Sequence, residues 1–301
     1  MGNTPSIVAL IATRFRSTLL SRLLSSLASQ TLRPLAAVIT DNGPDPATAA
    51  AVKNSPFSSH YLSSGKNLGF GGGLALAGQH ALEKFPSLTH LLIVDDDAIL
   101  SPSDLATLLS SMKKHSAGSI APFLVDSEGK LQEAPEPVSW SLARAFRTVG
   151  QNLTAARALS PAGYPMAWCI GPCLLIDRST WLRAGPPRSD MIAYGDDIEF
   201  SLRLSASFPA WAEPSVAVTH APPKLPAPPT PQDQSAHYKK FGMLLQNLAF
   251  TCVTSPRPRH LPLYLPGNAR RFLKTFGPSP THLGEVIRRY TLGLLGIPPR
   301  P

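Results

Sequence analysis

The stretch HLLIVDDDAIL, residues 90–100, decides how this sequence is interpreted. Its apolar run Leu91–Val94 resembles a buried β-strand, and three consecutive carboxylates follow it directly, Asp95, Asp96 and Asp97. Adjacent like charges repel and are costly to desolvate, so the triplet is expected to face a cation. Mg²⁺ or Mn²⁺ fits best, because hard divalent cations prefer oxygen ligands. The alternative is that one aspartate caps the next helix while the others are solvated.

Strand-like and helix-like patterns alternate on both sides of this stretch. Short apolar runs occur at 7–12, 35–39, 61–62 and 120–125, and helical spacing of apolar residues occurs between them at 19–27, 47–53, 70–85 and 105–112. This alternation indicates βαβ units and an α/β fold, a mostly parallel central sheet with flanking helices. Because ligands of such sheets bind at the carboxyl ends of the strands, the triplet lies where a site is expected.

The second half of the chain is less regular. Residues 126–165 carry few signals, 168–176 resemble one strand, 179–184 and 196–206 resemble helices, and 216–218 resemble a strand. A proline-rich stretch at 222–231 precedes two predicted helices, at about 235–253 and 281–295. We therefore expect an α/β domain at 1–221, a linker or mobile loop at 222–234, and a helical C-terminal segment at 235–301 that packs on the domain.

The net charge of +9 is confined to the C-terminal segment. Residues 1–235 hold 18 Lys and Arg and 18 Asp and Glu, whereas residues 236–301 hold 10 Lys and Arg and a single acid, Glu285. Such a segment suits an anionic membrane surface or an anionic acceptor, and a solvated basic tail is the alternative. The predicted helix at 281–295 is amphipathic and basic, so it could lie on a membrane or pack on the domain.

Sequence features that determine location favour the cytoplasm. The chain has no run of 18 apolar residues and no basic region before its first apolar stretch, so neither a spanning helix nor a signal peptide is predicted. Its three cysteines form neither a zinc pattern nor a disulfide framework, which suits a reducing compartment. We expect a cytoplasmic protein, with peripheral attachment to the inner face of the membrane if the basic segment binds lipid.

A glycine-rich segment, KNLGFGGGLALAG at 66–78, opens the helix predicted after the third strand. Glycine permits close approach of the backbone to a phosphate or a sugar, and the N-terminus of a helix favours anions. The pattern fails the G-x-G-x-x-G dinucleotide fingerprint, and a tight strand–helix connection is the alternative.

A second acidic cluster lies in YGDDIEFSLR, residues 194–203. Acids at the start of a helix suit its dipole, and Glu199 can form an i,i+4 ion pair with Arg203. Two adjacent carboxylates after a glycine, Asp196 and Asp197, suggest instead a general base. His220, at the end of VAVTH, either completes a metal site or terminates a strand without further role.

In this order the motifs resemble the family-2 inverting glycosyltransferases of GT-A fold, and among them the bacterial rhamnosyl- and galactofuranosyltransferases. The resemblance covers roughly residues 5–250. The segments that carry it are Thr13-Arg14, Asp41-Asn42, Asn67–Gly72, the D-x-D pair Asp95 and Asp97, Trp168, Gly195–Glu199 and His220. The turn after Asn42 departs from the family, because it continues as GPDP where a small hydroxyl residue is usual.

The resemblance implies a Rossmann-like GT-A catalytic domain and a role for each motif. The donor, a UDP- or dTDP-sugar, would be bound by Thr13, Arg14, Asp41, Asn42, Lys66, Asn67, Gly69, Gly71, Gly72, Asp96 and Trp168. Mn²⁺ or Mg²⁺ would be held by Asp95, Asp97 and His220. Asp197 would act as general base on a hydroxyl of a glycan or lipid-linked glycan, with Asp196 and Glu199 orienting this acceptor, and transfer would invert the anomeric carbon in one step.

Two other functions remain possible from the sequence, and a nucleic-acid partner is not among them. A sugar-phosphate nucleotidyltransferase also has an α/β sheet and an acidic metal site, but the loop after its first strand is glycine-rich, unlike TRFRS here. The second is an inactive glycosyltransferase-like protein that binds carbohydrate or nucleotide, although all the acidic positions are filled.

Overall fold

The computed structural model describes residues 5–191, 194–220, 231–255, 258 and 261–298. Its strands are β1 (Ile7–Thr13), β2 (Ala36–Asp41), β3 (Ser59–Ser63), β4 (His90–Val94), β5 (Ala98–Ile99), β6 (Ser119–Val125), β7 (Leu131–Glu133), β8 (Glu136–Pro137), β9 (Tyr164–Trp168), β10 (Cys173–Asp177) and β11 (Ala210–His220). Its helices are α1 (Ser17–Ala28), α2 (Pro46–Lys53), α3 (Gly69–Lys84), α4 (Asp104–Lys114), α5 (Trp140–Val149), α6 (Leu153–Leu159), α7 (Arg178–Ala184), α8 (Asp196–Ser207), α9 (Pro231–Thr254), α10 (Leu265–Phe276) and α11 (Pro280–Leu294), with a 3-10 turn at Leu261–Tyr264.

The strands join in the order β3-β2-β1-β4-β10-β6-β11-β9-β8, with β5 on β11 and β7 on β6. Strands β3, β2, β1 and β4 are parallel, and so are β6 and β11. Strand β10 enters antiparallel between β4 and β6. The predicted α/β class, with a mostly parallel central sheet and flanking helices, is confirmed. The strand that carries the acidic triplet lies in the middle of the sheet.

Burial on both faces explains why the central strands are continuous apolar runs rather than alternating ones. Along β1, Ile7, Ala9 and Ile11 pack into a cluster with leucines of α1 and α4. The intervening Val8 and Leu10 pack into a second cluster on the opposite face, with residues of α3 and α8. Because helices cover both faces, a site has to form at the ends of these strands, and in such sheets it forms at the carboxyl ends.

The prediction of a single strand at 168–176 is wrong. The chain forms β9 and β10 instead, and the residues between them leave the sheet. In this break the Cys169 amide donates to the Ser201 hydroxyl, at 3.0 Å, and the Gly171 amide donates to Asp197 Oδ2, at 3.0 Å. The apolar run is interrupted because its backbone hydrogen bonds go to side chains of α8.

Other elements had too little sequence pattern to be predicted. The region 126–165 contains β7, β8, α5, α6 and the start of β9, all short. Helix α10 lies between the two C-terminal helices that were predicted, and proline and glycine near its start obscured its period. The proline-rich stretch falls mostly on residues 221–230, which lie outside the described residues, so the proposed linker at 222–234 stays a prediction, although α9 already begins at Pro231.

The C-terminal helices pack on one another and on the sheet domain. Phe241 and Leu245 of α9 form a cluster with Phe272 of α10 and Val286 of α11. Further along α9, Leu248 packs with residues of β9 and α8. No helix within the described ranges is long and apolar enough to cross a membrane.

Two glycines of α11 provide a matched test of this packing. A Cβ at Gly293 would lie 2.4 Å from the Gln246 carbonyl oxygen and 2.7 Å from the Ala249 Cβ, whereas a Cβ at Gly284 would meet nothing within 4 Å. We expect Gly293→Ala to destabilise the protein by about 1–3 kcal/mol through overpacking. Gly284→Ala should be neutral or stabilise by up to about 1 kcal/mol through helix propensity. Thermal melts of both variants check this, and equal melting temperatures would contradict the α9–α11 contact.

Candidate functional site

The three carboxylates at the end of β4 have different hydrogen-bond partners. Asp96 accepts hydrogen bonds from the Thr13 hydroxyl, at 2.6 Å, and from Arg16 Nη1, at 3.0 Å. The same Arg16 nitrogen donates to Asp97 Oδ2, at 3.1 Å. Asp96 therefore fixes the end of β1 and the loop after it to the end of β4, which leaves Asp95 and the second oxygen of Asp97, Oδ1, for a ligand.

Asp95, Asp97 and His220 come together as one group. Each offers one ligand atom within 4.8 Å of the others, and His220 Nε2 lies 3.3 Å from Asp97 Oδ1. Pairing of His220 with Ala98, between β11 and β5, brings the histidine to the triplet. His220 Nδ1 lies 3.1 Å from Gln132 Oε1. That contact suits a tautomer protonated at Nδ1, which leaves Nε2 free to bind a metal.

The electrostatics of this group fit a divalent cation. Asp95 Oδ1 is buried and accepts no hydrogen bond from the described residues, and the buried Asp97 Oδ1 lies beside His220 Nε2. Burial, reinforced by the neighbouring carboxylates, raises the pKa of Asp95 well above its ordinary value. Burial also raises the pKa of Asp97, but His220 and Arg16 outweigh it and hold that pKa below its usual range. Two buried carboxylate oxygens beside an imidazole form a suitable ligand set for Mn²⁺ or Mg²⁺.

The second acidic pair opens α8 on the other side of the same cleft. Gly195, with φ of 87°, adopts the left-handed conformation that starts the helix. Asp196 Oδ2 accepts from the Gly71 amide, at 3.0 Å. Asp197 Oδ2 accepts from the Gly171 amide, at 3.0 Å, and its Oδ1 from the Ile198 amide, at 2.8 Å. Burial raises the pKa of both carboxyls, and the backbone donors only partly oppose this.

The glycine-rich segment holds one member of this pair, Asp196, in place. A Cβ at Gly71 would lie 2.5 Å from the Arg188 carbonyl oxygen, so only glycine allows α3 to approach the loop before α8. The amides of Leu68, Gly69 and Gly71 donate to Asn42, Asn67 and Asp196. Side chains of this protein therefore cap the first turn of α3, and the segment serves as a tight connection as well as a candidate sugar-binding surface.

The cleft between the two acidic groups has two adjoining halves of about 500 and 520 Å³. These volumes are in the range of small-ligand sites. One half is lined by Thr13, Arg14, Asn42, Asn67, Gly69 and Asp96, and the other by Asp97, Gly171, Tyr194, Asp196, Asp197 and His220. Asp95, Arg16, Phe70 and Lys240 line both. Most of the predicted site residues are thus brought to one place.

Several predicted residues lie elsewhere. The Asp41 carboxylate is buried and accepts from the Gly43 and Asp45 amides and the Tyr61 hydroxyl, so these partners already occupy it. Trp168 packs edge-on against Tyr264, in the cluster beneath α9. Gly71 lines a small cavity with Asp196 and Asp197, beside the cleft.

Glu199 is buried and binds Arg203 through both carboxylate oxygens, at 2.6 and 3.0 Å, as the i,i+4 spacing predicted. The exposed Lys66 and the buried Gly72 line neither half of the cleft. The functional roles assigned to all these residues stay predictions.

The cleft residues that were not predicted include Arg16, Gly171 and Lys240. Arg16 directly follows the Thr13–Phe15 segment, and its charge beside an acidic motif was an available signal. Gly171 was hidden in the apolar run taken as one strand. Lys240 lies in the C-terminal segment, and nothing in its local sequence connects it with the end of β4.

Comparison with known proteins identifies the class. Residues 8–171 match the family model Glycosyl transferase family 2, and the chain belongs to this family. It is a glycosyltransferase, which decides against the sugar-phosphate nucleotidyltransferase considered above. The resemblance read from the motifs is confirmed.

Two relatives are similar over most of their length. The galactofuranosyltransferase GlfT1 of Mycolicibacterium smegmatis is 29% identical over 213 residues, covering 69% of this chain and 68% of that protein. The N-acetylglucosaminyl-diphospho-decaprenol L-rhamnosyltransferase of Mycobacterium tuberculosis is 26% identical over 246 residues, covering 75% and 79%.

Solved structures show the same fold. The mannosyltransferase PcManGT of Pyrobaculum calidifontis, in complex with GDP-Man and Mn²⁺, aligns with a TM-score of 0.59 and 17% identity over 96% of this chain and 87% of that one. TarS 1–349 of S. aureus, in complex with UDP-GlcNAc, aligns with a TM-score of 0.62 and 12% identity over 97% and 82%. The GT-A fold expected from the sequence is confirmed.

The metal group can be tested directly. We expect Asp97→Asn to weaken Mn²⁺ binding by at least about tenfold, because it removes a charged ligand next to His220. Glu128→Gln changes an exposed carboxylate paired with Lys130 and serves as the control. Titration of free Mn²⁺ by electron paramagnetic resonance measures both. Equal affinity of Asp97→Asn and wild type would refute the assignment.

Proposed function

We propose that this protein transfers a sugar from a UDP- or dTDP-sugar to a hydroxyl of a glycan or lipid-linked glycan, with inversion at the anomeric carbon. One observation carries the proposal: Asp95, Asp97 and His220 line a single cleft together with Asp196 and Asp197. A ligand group for a diphosphate-bound cation and a candidate base thus border the same space, which is large enough for a sugar.

The residues on the first side suit a leaving diphosphate. Asp95, Asp97 and His220 would hold Mn²⁺ or Mg²⁺, which supplies Lewis-acid stabilisation of the charge that develops on the diphosphate. The other half of the cleft, which would take the nucleoside, is lined by Thr13, Arg14, Asn42 and Asn67. The Asp41 carboxylate already accepts three hydrogen bonds from this protein. We therefore assign it to shaping the pocket for the nucleobase rather than to contacting the nucleobase directly.

The residues on the second side suit proton removal. Asp197 is oriented by the Gly171 and Ile198 amides, so its position does not depend on a mobile side chain. Burial raises the pKa of Asp197 toward neutral pH, and a general base is most effective when its pKa is close to the operating pH. Asp196 accepts from the Gly71 amide at the start of α3, and its own pKa is raised by burial and by the neighbouring Asp197. Glu199 forms an ion pair with Arg203 within α8, and through this pair it would stabilise the helix that presents Asp197.

The acceptor class is suggested by the relatives, one of which is named for a diphospho-decaprenol substrate. Helix α11 supports the same class through an exposed apolar face. Leu283, Ile287 and Leu294 are exposed, and at 100° per residue they lie within about 40° on the helix. Together with the exposed cations Arg270 and Lys274 of α10, this face suits the surface of an anionic membrane.

Removal of the base should separate binding from turnover. We expect Asp197→Asn to lower kcat by about 10²- to 10⁴-fold while donor binding is retained, because the amide cannot accept the acceptor's proton. Asp190→Asn, on the loop before α8, is the surface control. Release of UDP or dTDP during transfer measures turnover, and calorimetry measures binding. A variant that turns over at the wild-type rate would show that Asp197 is not the base.

The membrane surface has its own test. Ile287→Asp should weaken binding to vesicles of phosphatidylglycerol and phosphatidylcholine by about tenfold, since it replaces an apolar side chain that would enter the interface. Leu182→Asp changes an equally exposed leucine on α7 and is the control. Co-sedimentation with the vesicles measures both. Identical binding of the two variants would exclude α11 as the lipid contact.

A further inference from the structure

Helix α9 contributes a cation to the cleft. Lys240 lines both halves, together with Asp95, Arg16 and Phe70. Met243, one turn further along the helix, lines the half assigned to the nucleoside. The basic C-terminal segment therefore reaches the end of β4 with a charged side chain, and neither the metal group nor the acidic pair accounts for it.

The position of Lys240 is set by contacts next to the catalytic carboxylates. Asn247 Nδ2 donates to the Tyr194 carbonyl oxygen, at 2.7 Å. A Cβ at Gly195 would lie 3.3 Å from the Asn247 Cβ and 3.7 Å from Leu244, so α9 passes closely over the residue that precedes Asp196. Residues 240, 244 and 247 have the i, i+4, i+7 spacing of one helix face. Lys240 is therefore on the same face of α9 as Leu244 and Asn247, the residues that contact the loop before Asp196.

The charges of the cleft leave Lys240 available. Arg16, the other cation shared by both halves, is already paired with Asp96 and Asp97. Lys240 is exposed, and no carboxylate of the described residues forms an ion pair with it. A lysine at the mouth of an acidic cleft without a fixed partner can move to an anion that enters with the substrate. Lysine binds phosphate oxygens as a compact point charge.

We propose that Lys240 binds the diphosphate of the donor, so that the helical C-terminal segment completes the donor site. This inference rests on the proposed function. During transfer the bond from the anomeric carbon to the diphosphate oxygen breaks and its electron pair stays on that oxygen. The acceptor oxygen forms the new bond, and its proton goes to Asp197. Lys240 opposes the negative charge that the diphosphate gains in this step.

The test compares Lys240→Ala with Lys239→Ala, its neighbour in the chain. Lys239 is exposed on the same helix and does not line the cleft. The probes are uridine, UMP and UDP, and thymidine, dTMP and dTDP, each titrated calorimetrically in the presence of Mn²⁺. We expect Lys240→Ala to weaken binding of the cognate diphosphate by about tenfold and to leave its nucleoside unchanged. Lys240→Arg should restore most of the loss, and Lys239→Ala should match wild type.

The other possible outcomes contradict either the proposal for Lys240 alone or the proposed function as well. If wild type binds a nucleoside diphosphate and Lys240→Ala binds it equally well, the proposal for Lys240 fails and the proposed function stands. Equal losses for the nucleoside and the diphosphate would show that Lys240 only supports the fold. Unchanged diphosphate binding with a raised KM for the acceptor would place Lys240 at the acceptor instead. If wild type binds none of the probes, both the proposal and the proposed function are overturned.

Discussion

Repulsion among buried carboxylates at the end of β4 governs the organisation of the site. Asp95, Asp96 and Asp97 follow a strand with no exposed face, so their charges cannot simply be solvated. The protein supplies two basic groups to them, Arg16 from the loop after β1 and His220 from the end of β11. Even so, Asp95 retains a raised pKa and an oxygen without a donor. The remaining electrostatic imbalance is what a divalent cation would correct.

The position of β4 in the sheet brings the other groups to this point. At the carboxyl end of β4, strand β1 ends and the antiparallel strand β10 begins, so the loop after Thr13 and the turn that contains Gly171 flank the triplet. The break between β9 and β10 is part of the same arrangement, because the amide freed at Gly171 orients Asp197. The close approach of α3 at Gly71 lets the Gly71 amide orient Asp196 in the same way. The acidic pair is therefore held by backbone groups from two separate elements, Asp197 by the turn between β9 and β10 and Asp196 by α3.

Local patterns predicted much of the fold and part of the site. The apolar runs of β1, β2, β4 and β6 and the helices between them are long and regular enough to be recognised. The carboxylate clusters at 95–97 and 196–197 indicate a cation site and a general base from the sequence alone. The Glu199–Arg203 ion pair follows from its helical spacing. The break at 169–172 could not be predicted, because its hydrogen bonds go to α8, about 30 residues further along the chain. The occupation of Asp41 by Tyr61 and the presence of Lys240 in the cleft likewise depend on tertiary contacts.

The central claim is that the cleft binds a nucleoside diphosphate through a cation held by Asp95, Asp97 and His220. The most direct measurement is the melting temperature of the wild-type protein with UDP, dTDP, GDP or CDP, each with and without Mn²⁺. A ligand that binds only the folded state raises the melting temperature with its concentration. We expect such a rise for UDP or dTDP, and only when Mn²⁺ is present. No rise with any of the four, or a rise unaffected by removal of Mn²⁺ with EDTA, would contradict the central claim.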